Sequence, residues 1–452
     1  MEQKVLSHIF EAKSVAVIGA SRNPEKLGYK ILKNILDAGY KGKVYPINPK
    51  ADEILGLKAY PSISEVPGDV DLAVFVIPAK FVPSTLRECA KRNVKGAVII
   101  SGGFAEVGNI ELENELKSII KETNIRVIGP NCQGINNPHL GLNASWPVIK
   151  SAGPISIASQ SGTFFAALQM WADEDKIGVS KCAAMGNKID IDFDDLIEYY
   201  GEDENTKVIA VYMEGVRDGR RFVKIAREIS KKKPIVVLKG GRTEIGAKAV
   251  ASHTRSLAGR DEIFDAAFKQ SGIIRVESLE ELYDTIKAFS LLNLPKDNRV
   301  LIITSSGGSG IVSADEAELR GLSLPDIPEE LKQSLKEKLP DYVILRNPLD
   351  LTGNAYADLY RDTLNIVIHN DTYSSFVVIF GDPIEGAADV INEMSKKTSK
   401  PILSVYLGGG EIQQIEIEKF RRLKLPVYPT PERAIKALSN LVRYSKYLKT
   451  IT

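Results

Sequence analysis

The chain has 452 residues, 44% of them hydrophobic and 26% charged, which is enough for roughly three soluble globular domains with ample core. Its 59 lysines and arginines nearly cancel 58 aspartates and glutamates, so no global field draws nucleic acid or an anionic membrane surface, and any anion must be bound locally. Cys89, Cys132 and Cys182, without a C-x-x-C pair, exclude a disulfide framework and point to a reducing cytosol, while the scattered His8, His139, His253 and His369 give no spacing for a metal site.

The start, Met1-Glu2-Gln3-Lys4, lacks a basic-then-apolar leader, and no run approaches the ~18 apolar residues that span a bilayer, so a cytoplasmic protein without membrane association is expected. From there, apolar β-branched runs alternate with helical patterns to the end of the chain. That alternation predicts the α/β class, with parallel sheets built from βαβ units. Three units, at 15–28, 154–167 and 300–314, restart with a strand, a glycine- or serine-rich turn and a helix. The first module, 1–145, is Rossmann-like, with strands at 43–47, 72–76, 94–100 and 126–128. The second, 146–294, has strands near 155–158, 208–213, 235–238 and 272–276. A proline-interrupted hinge at 293–298 opens the third, 295–452, with strands near 299–304, 376–380 and 402–406 and a closing helix from about Pro431.

At the end of the first strand, Gly19-Ala20-Ser21-Arg22 forms a small-residue turn where a pyrophosphate can meet backbone N–H groups. The dinucleotide fingerprint G-x-G-x-x-G is incomplete, because Ser21 holds its second glycine position. The second strand ends Ile47-Asn48-Pro49-Lys50, with a lysine where a nicotinamide dinucleotide site places an acid for the ribose. Arg22, Lys26 and Lys50 suit the 3′-phosphate of coenzyme A instead, which opposes a dehydrogenase. Later strand ends offer Ile77 and Pro78, where the proline serves equally as a loop stop, and Ser101-Gly102-Gly103, where backbone must approach closely to turn or to bind.

Ser159-Gln160-Ser161-Gly162-Thr163 opens a helix after a strand, so N–H groups, hydroxyls and the helix dipole converge on an anion. Thr304-Ser305-Ser306-Gly307-Gly308-Ser309-Gly310 repeats the design in the third module. Neither is a P-loop, and no G-x-S-x-G elbow of a serine hydrolase occurs. Residues 239–259, rich in glycine, alanine and hydroxyls, read as a pliable loop. It carries His253 amid Lys239, Arg242, Lys248 and Arg255. An imidazole nitrogen accepts a phosphoryl group when an acceptor fixes the proton on its other nitrogen, and Glu214, at a strand end, is the candidate acceptor.

These motifs, with Gly129-Pro130-Asn131-Cys132-Gln133-Gly134, Gly186-Asn187, Ser252-His253-Thr254 and Asn347-Pro348-Leu349-Asp350-Leu351, resemble in their order the α subunit of the ADP-forming acetyl-CoA synthetases, relatives of succinyl-CoA synthetase. The resemblance covers essentially the whole chain. It implies a CoA-binding Rossmann-like domain followed by two flavodoxin-like ligase domains, the first bearing the phosphohistidine. It further implies that acetyl-CoA, ADP and phosphate yield acetate, ATP and CoA reversibly, through acetyl phosphate and phosphorylated His253. CoA contacts are expected from Gly19, Ser21, Arg22, Lys26, Asn48, Lys50, Ile77, Pro78, Ser101, Gly102, Gly103 and Asn131. Phosphate contacts are expected from Gln160, Ser161, Gly162, Thr163, Asn187, Gly308 and Ser309.

The resemblance also implies a separate ATP-grasp β subunit that holds ADP or ATP with Mg²⁺, in an α₂β₂ heterotetramer. Where the family reads Ser-His-Thr-Gly-Ser, this chain has Arg255 in the glycine position. Acids other than acetate (succinate, aryl or branched) and a non-catalytic sensor of CoA or nucleotide remain open alternatives. Trp146 and Phe164 are each candidates to crowd an acyl pocket or simply to pack.

Overall fold

The computed structural model describes residues 2–146, 148–254 and 259–451. They form two compact units, one of Met1–Asp173 with Gly178–Glu277, the other of Glu174–Ile177 with Ser278–Thr452. Among the described residues no helix is long and apolar enough to cross a membrane.

The first unit contains two main sheets. One runs Lys43–Ile47, Ser14–Ile18, Leu72–Phe75, Gly96–Ile99, Arg126–Ile128 in space, all parallel. Ser14–Ile18, Leu72–Phe75 and Gly96–Ile99 are buried along their whole length, which is why they read as continuous apolar runs rather than as alternation. The other sheet runs Ile274–Val276, Ile235–Lys239, Val208–Met213, Ala152–Ser159, Val179–Ala184, again parallel. An antiparallel hairpin, Gly134–Asn137 with Leu142–Ser145, extends it beyond Val179–Ala184. Although this hairpin precedes residue 146, it is hydrogen-bonded into the second sheet.

The strand Val179–Ala184 is not foreseen from sequence. Its Lys181 interrupts the apolar pattern, yet it is buried and paired with Asp203 at 2.6 Å. A second correction concerns the histidine segment: Glu244–Thr254 is an α-helix, not a loop. Ala247, Ala249 and Ala251 supply the helix propensity that the glycines and hydroxyls obscure.

The second unit holds the sheet Leu349–Asp350, Val300–Thr304, Ser375–Phe380, Ile402–Tyr406, Val427–Tyr428, all parallel. Asn347 holds its edge by donating to the carbonyls of Val300 (2.8 Å) and Pro325 (2.9 Å) and accepting from the N–H of Ile302 (3.2 Å). The helix Leu279–Leu291 groups with this unit rather than with the strands before it, because it packs against the final helix Pro431–Ile451. Arg433 grips the buried Asp284 there at 2.6 and 2.9 Å.

All three sheets share one winding among their parallel strands, with the first parallel strand of each lying between its second and third. At that reversal the connections leave in opposite directions and open a crevice at the C-terminal ends of the strands. In the first sheet the crevice requires close backbone approach. A Cβ on Gly28, in the first turn of Leu27–Asp37, would lie 1.9 Å from the carbonyl oxygen of Gly19. Gly28→Ala should therefore lower stability by about 1–3 kcal/mol or more through overpacking, read as a lower denaturation midpoint. Gly219→Ala, where nothing lies within 4 Å of the added carbon, should change it by no more than about 0.5 kcal/mol.

Candidate functional site

At the first sheet's crevice, the turn after Ser14–Ile18 is tied to the neighbouring strand end. Gly19 N–H donates to Ile47 (3.0 Å), and the Asn48 amide donates to the carbonyl of Ala20 (2.7 Å) while accepting from Lys50 N–H (2.8 Å). Arg22 donates to the Lys50 carbonyl at 3.2 Å, and Ser21 accepts from Asn23 N–H. Arg22, Lys26 and Lys50 remain exposed at this edge, as phosphate recognition needs. Ile77 N–H donates to Ser101 Oγ at 3.1 Å beside the exposed Pro78. The N–H of Gly103 is already used, donating to Glu106 Oε1 at 2.5 Å. Gly102 is exposed, but a Cβ there would stand 3.1 Å from Asn131 Oδ1 and 3.3 Å from Glu106 Oε1.

Two motifs distant in sequence pack backbone to backbone. Asn187 N–H donates to the carbonyl of Pro130 (2.9 Å) and Ile189 N–H to that of Gly129 (3.2 Å). Gly186 is left-handed, at φ +53°, with the Asn131 and Pro130 carbonyls 2.3 Å from any Cβ it could carry. Asn131, itself left-handed at φ 56°, donates to Asn187 Oδ1 at 3.3 Å. The Asn187 amide donates to Glu106 (2.7 Å) and Glu113 (3.0 Å). Both its hydrogens are engaged by carboxylates, and its Oδ1 accepts from Asn131. Burial alone raises the Glu106 carboxyl, but the Gly103 N–H and the Asn187 amide outweigh it and hold the group below its ordinary range.

The second sheet's crevice lies between Ala152–Ser159 and Val208–Met213. Gln160, buried, accepts from Glu214 N–H at 2.7 Å and Gly215 N–H at 3.3 Å, joining the two strand ends. The helix Gly162–Glu174 begins beside it, with Ser161 Oγ accepting from Phe164 N–H at 3.3 Å. Glu214 is buried and hydrogen-bonded to Tyr212, whose hydroxyl is pushed up to about 12 by burial, then by the adjacent carboxylate. Phe164 stacks edge-on to Tyr212 with ring centroids 4.7 Å apart.

Lys239, one of the cations that flank His253 in sequence, is only 2% exposed. It donates to the Gly240 carbonyl and lies over the Phe264 ring at 4.7 Å. Burial lowers its ammonium below the ordinary range. Arg242 pairs with Glu277, and Lys248 is exposed.

A cavity of about 690 Å³ joins these parts, lined by Asn131, Gln160, Ser161, Gly162, Thr163 and Asn187 of the expected residues. Sequence reasoning missed Gln133, which donates to the Trp146 carbonyl at 2.7 Å. Its Oε1 lies 2.8 Å from where a Cβ on Gly162 would stand, and that glycine was the only available signal. Cys132 also lines the cavity, but burial pushes its thiol up to about 12, so it is no thiolate nucleophile.

The side chain of His253, and all of Arg255, lie outside the described residues. The helix Glu244–Thr254 that bears His253 packs beside the Ala105–Val107 turn, whose Glu106 holds Asn187. Gly308 and Ser309 belong to the second unit, at the start of Gly307–Leu319. Ser306 caps that helix there, accepting from Ser309 N–H at 3.4 Å.

Three domain patterns match the chain: a CoA binding domain over residues 13–138, a succinyl-CoA ligase like flavodoxin domain over 152–289 and a Ligase-CoA domain over 300–446. Acetate–CoA ligase [ADP-forming] I subunit alpha of Pyrococcus furiosus is 44% identical, the match covering 98% of each chain. Acetate–CoA ligase [ADP-forming] of Methanocaldococcus jannaschii is also 44% identical, across 97% of this chain but only 63% of that longer protein. Among solved structures, the dinucleotide forming acetyl-coenzyme A synthetase 1 of Ca. Korarchaeum cryptofilum, in complex with phosphate and ADP, superposes with a TM-score of 0.93. It is 40% identical, with 99% of this chain and 98% of that one covered.

The Gln160 bridge generates a direct test. Gln160→Ala strands two buried N–H groups and should cost about 1–3 kcal/mol. Amide hydrogen exchange at Glu214 and Gly215 should then accelerate selectively, whereas unchanged exchange there would show that the bridge does not hold the strand ends.

Proposed function

The chain belongs to the ADP-forming acetate–CoA ligase family, and from that membership we propose that it is the α subunit of such an enzyme, converting acetyl-CoA, ADP and phosphate reversibly to acetate, ATP and CoA. The observation that carries this reading is the convergence, in one cavity, of the Ser161–Thr163 helix start, the Gln160 bridge to Glu214 and Asn131 from the CoA-binding sheet.

CoA binds across the first sheet's crevice, its adenosine phosphate on Arg22, Lys26 and Lys50 and its thioester towards Asn131 and Gly102. A phosphate oxygen held at Ser161, Gly162 and Thr163 attacks the thioester carbonyl. The C–S bond breaks, CoA leaves as the thiol, and acetyl phosphate forms while the helix dipole steadies the added charge. His253 then attacks phosphorus, the bond to the acetate oxygen breaks, and Glu214 holds the proton on the other imidazole nitrogen. Phosphorylated His253 passes its phosphoryl group to ADP, a transfer dominated by positioning.

The nucleotide site, with its Mg²⁺, belongs on an ATP-grasp partner, and two copies of each chain form an α₂β₂ assembly. Two observations support a partner: the Pyrococcus relative is called a subunit alpha, and the Methanocaldococcus relative continues well beyond the matched region. On this reading the chain carries a CoA-binding domain, 1–145, a phosphohistidine domain, 146–294, and a second ligase domain, 295–452, although the hairpin Gly134–Asn137 with Leu142–Ser145 pairs into the second sheet and Leu279–Leu291 groups with the second unit.

With the partner chain present, His253→Ala should abolish ATP formation from acetyl-CoA, ADP and phosphate. Glu214→Gln should slow it on the order of 10²-fold with acetyl-CoA affinity unchanged. ATP formation at the unaltered rate in either variant would remove that residue from the mechanism.

A further inference from the structure

The cavity at the second sheet has two chemically distinct ends. Its polar end is the helix start at Ser161–Thr163, while Trp146, Ala166 and Met170 line it with apolar surface. Gly162, Ala166 and Met170 are spaced four residues apart on the helix Gly162–Glu174, so they share one face. The same helix buries Phe165, Leu168 and Ala172 on its other side. Met170, 52% exposed, and Trp146, 38% exposed, therefore present large apolar surface to the cavity rather than to the core.

The two walls are held in register. Gln133 donates to the Trp146 carbonyl while its own Oε1 abuts Gly162, so the indole-bearing segment and the helix start are set by one side chain. Of the two aromatic candidates, only Trp146 faces the cavity, because Phe164 packs on Tyr212. Among the described residues lining the cavity there is no lysine, arginine or histidine.

We propose that Ala166, Met170 and Trp146 form the acyl-group subsite and that these three side chains set the acid's upper size. This rests on the reading of the chain as an acyl-CoA ligase subunit. A thioester carbonyl at the helix start places the acyl chain along the shared face. Ala166 lies about 6 Å and Met170 about 12 Å further along the axis than Gly162, at 1.5 Å rise per residue. An acetyl methyl meets Ala166 first, and longer or aryl groups extend towards Met170 and Trp146.

The test is phosphoenzyme formation on the full-length chain, with its partner chain present, from inorganic phosphate and each of acetyl-, butanoyl- and phenylacetyl-CoA. Met170→Ala should raise the phenylacetyl-to-acetyl rate ratio at least tenfold, the scale on which apolar pockets discriminate. Ala166→Leu should lower the butanoyl-to-acetyl ratio by a similar factor, and it serves independently if the methionine variant folds poorly. A shift in either ratio supports the subsite. Both ratios within twofold of an active wild type would overturn it. A wild-type chain phosphorylated from none of the three with its partner present would instead reject the ligase reading, and the subsite with it.

Discussion

The site depends on how a buried parallel sheet ends where its strand order reverses. Backbone N–H groups emerging there have no ladder partner, and leaving them unmet in the interior is costly. The second sheet meets the need with Gln160, whose carboxamide oxygen accepts from Glu214 and Gly215. That one group fixes the carboxylate-bearing strand end relative to the helix start at Ser161. The third sheet uses a shorter device, Ser305 Oγ accepting from Gly381 N–H at 2.9 Å. The first uses close approach instead, with the Val76 carbonyl 2.4 Å from any Cβ that Gly19 could carry. Three sheets of one winding thus end in three crevices of different polarity.

Charge is used locally. A net charge of +1 gives no long-range field, and the basic groups divide by environment. Arg22, Lys26 and Lys50 stay exposed at the first crevice, where a nucleotide phosphate can meet them. Lys239 is withdrawn into the interior over Phe264, with Asp261 and Glu214 partly offsetting the cost of burying its ammonium. The carboxylates Glu106 and Glu113 act through Asn187, fixing Asn131 at the meeting point of the two motifs.

The repeated strand-turn-helix grammar was legible because buried strands carry unbroken apolar runs rich in β-branched residues, as in Val208–Met213 and Val300–Thr304. Elements that bury polar groups were not. The hairpin Gly134–Asn137 with Leu142–Ser145 hides Asn136 and Asn137, which are tolerable only because Gln169 and the Phe10 carbonyl accept from them. Edge strands of two residues, Leu349–Asp350 and Val427–Tyr428, are too short for any periodicity. Motif residues at the crevices could be read from glycine and hydroxyl patterns. Gln133 and Tyr212 could not, since each acts through a partner that only the fold brings near. The histidine segment misled for a related reason: small residues serve loops and alanine-rich helices alike, and tertiary context decides.

The account's central claim is that phosphate activated at the second crevice becomes bonded to one imidazole on the helix Glu244–Thr254. Tandem mass spectrometry, under conditions that preserve acid-labile phosphate, can locate it after the chain is incubated with acetyl-CoA and inorganic phosphate. Phosphate on His253 is the predicted result. Phosphate on His139, on a hydroxyl such as Ser161 or Thr163, or on no residue of an otherwise active enzyme would contradict it.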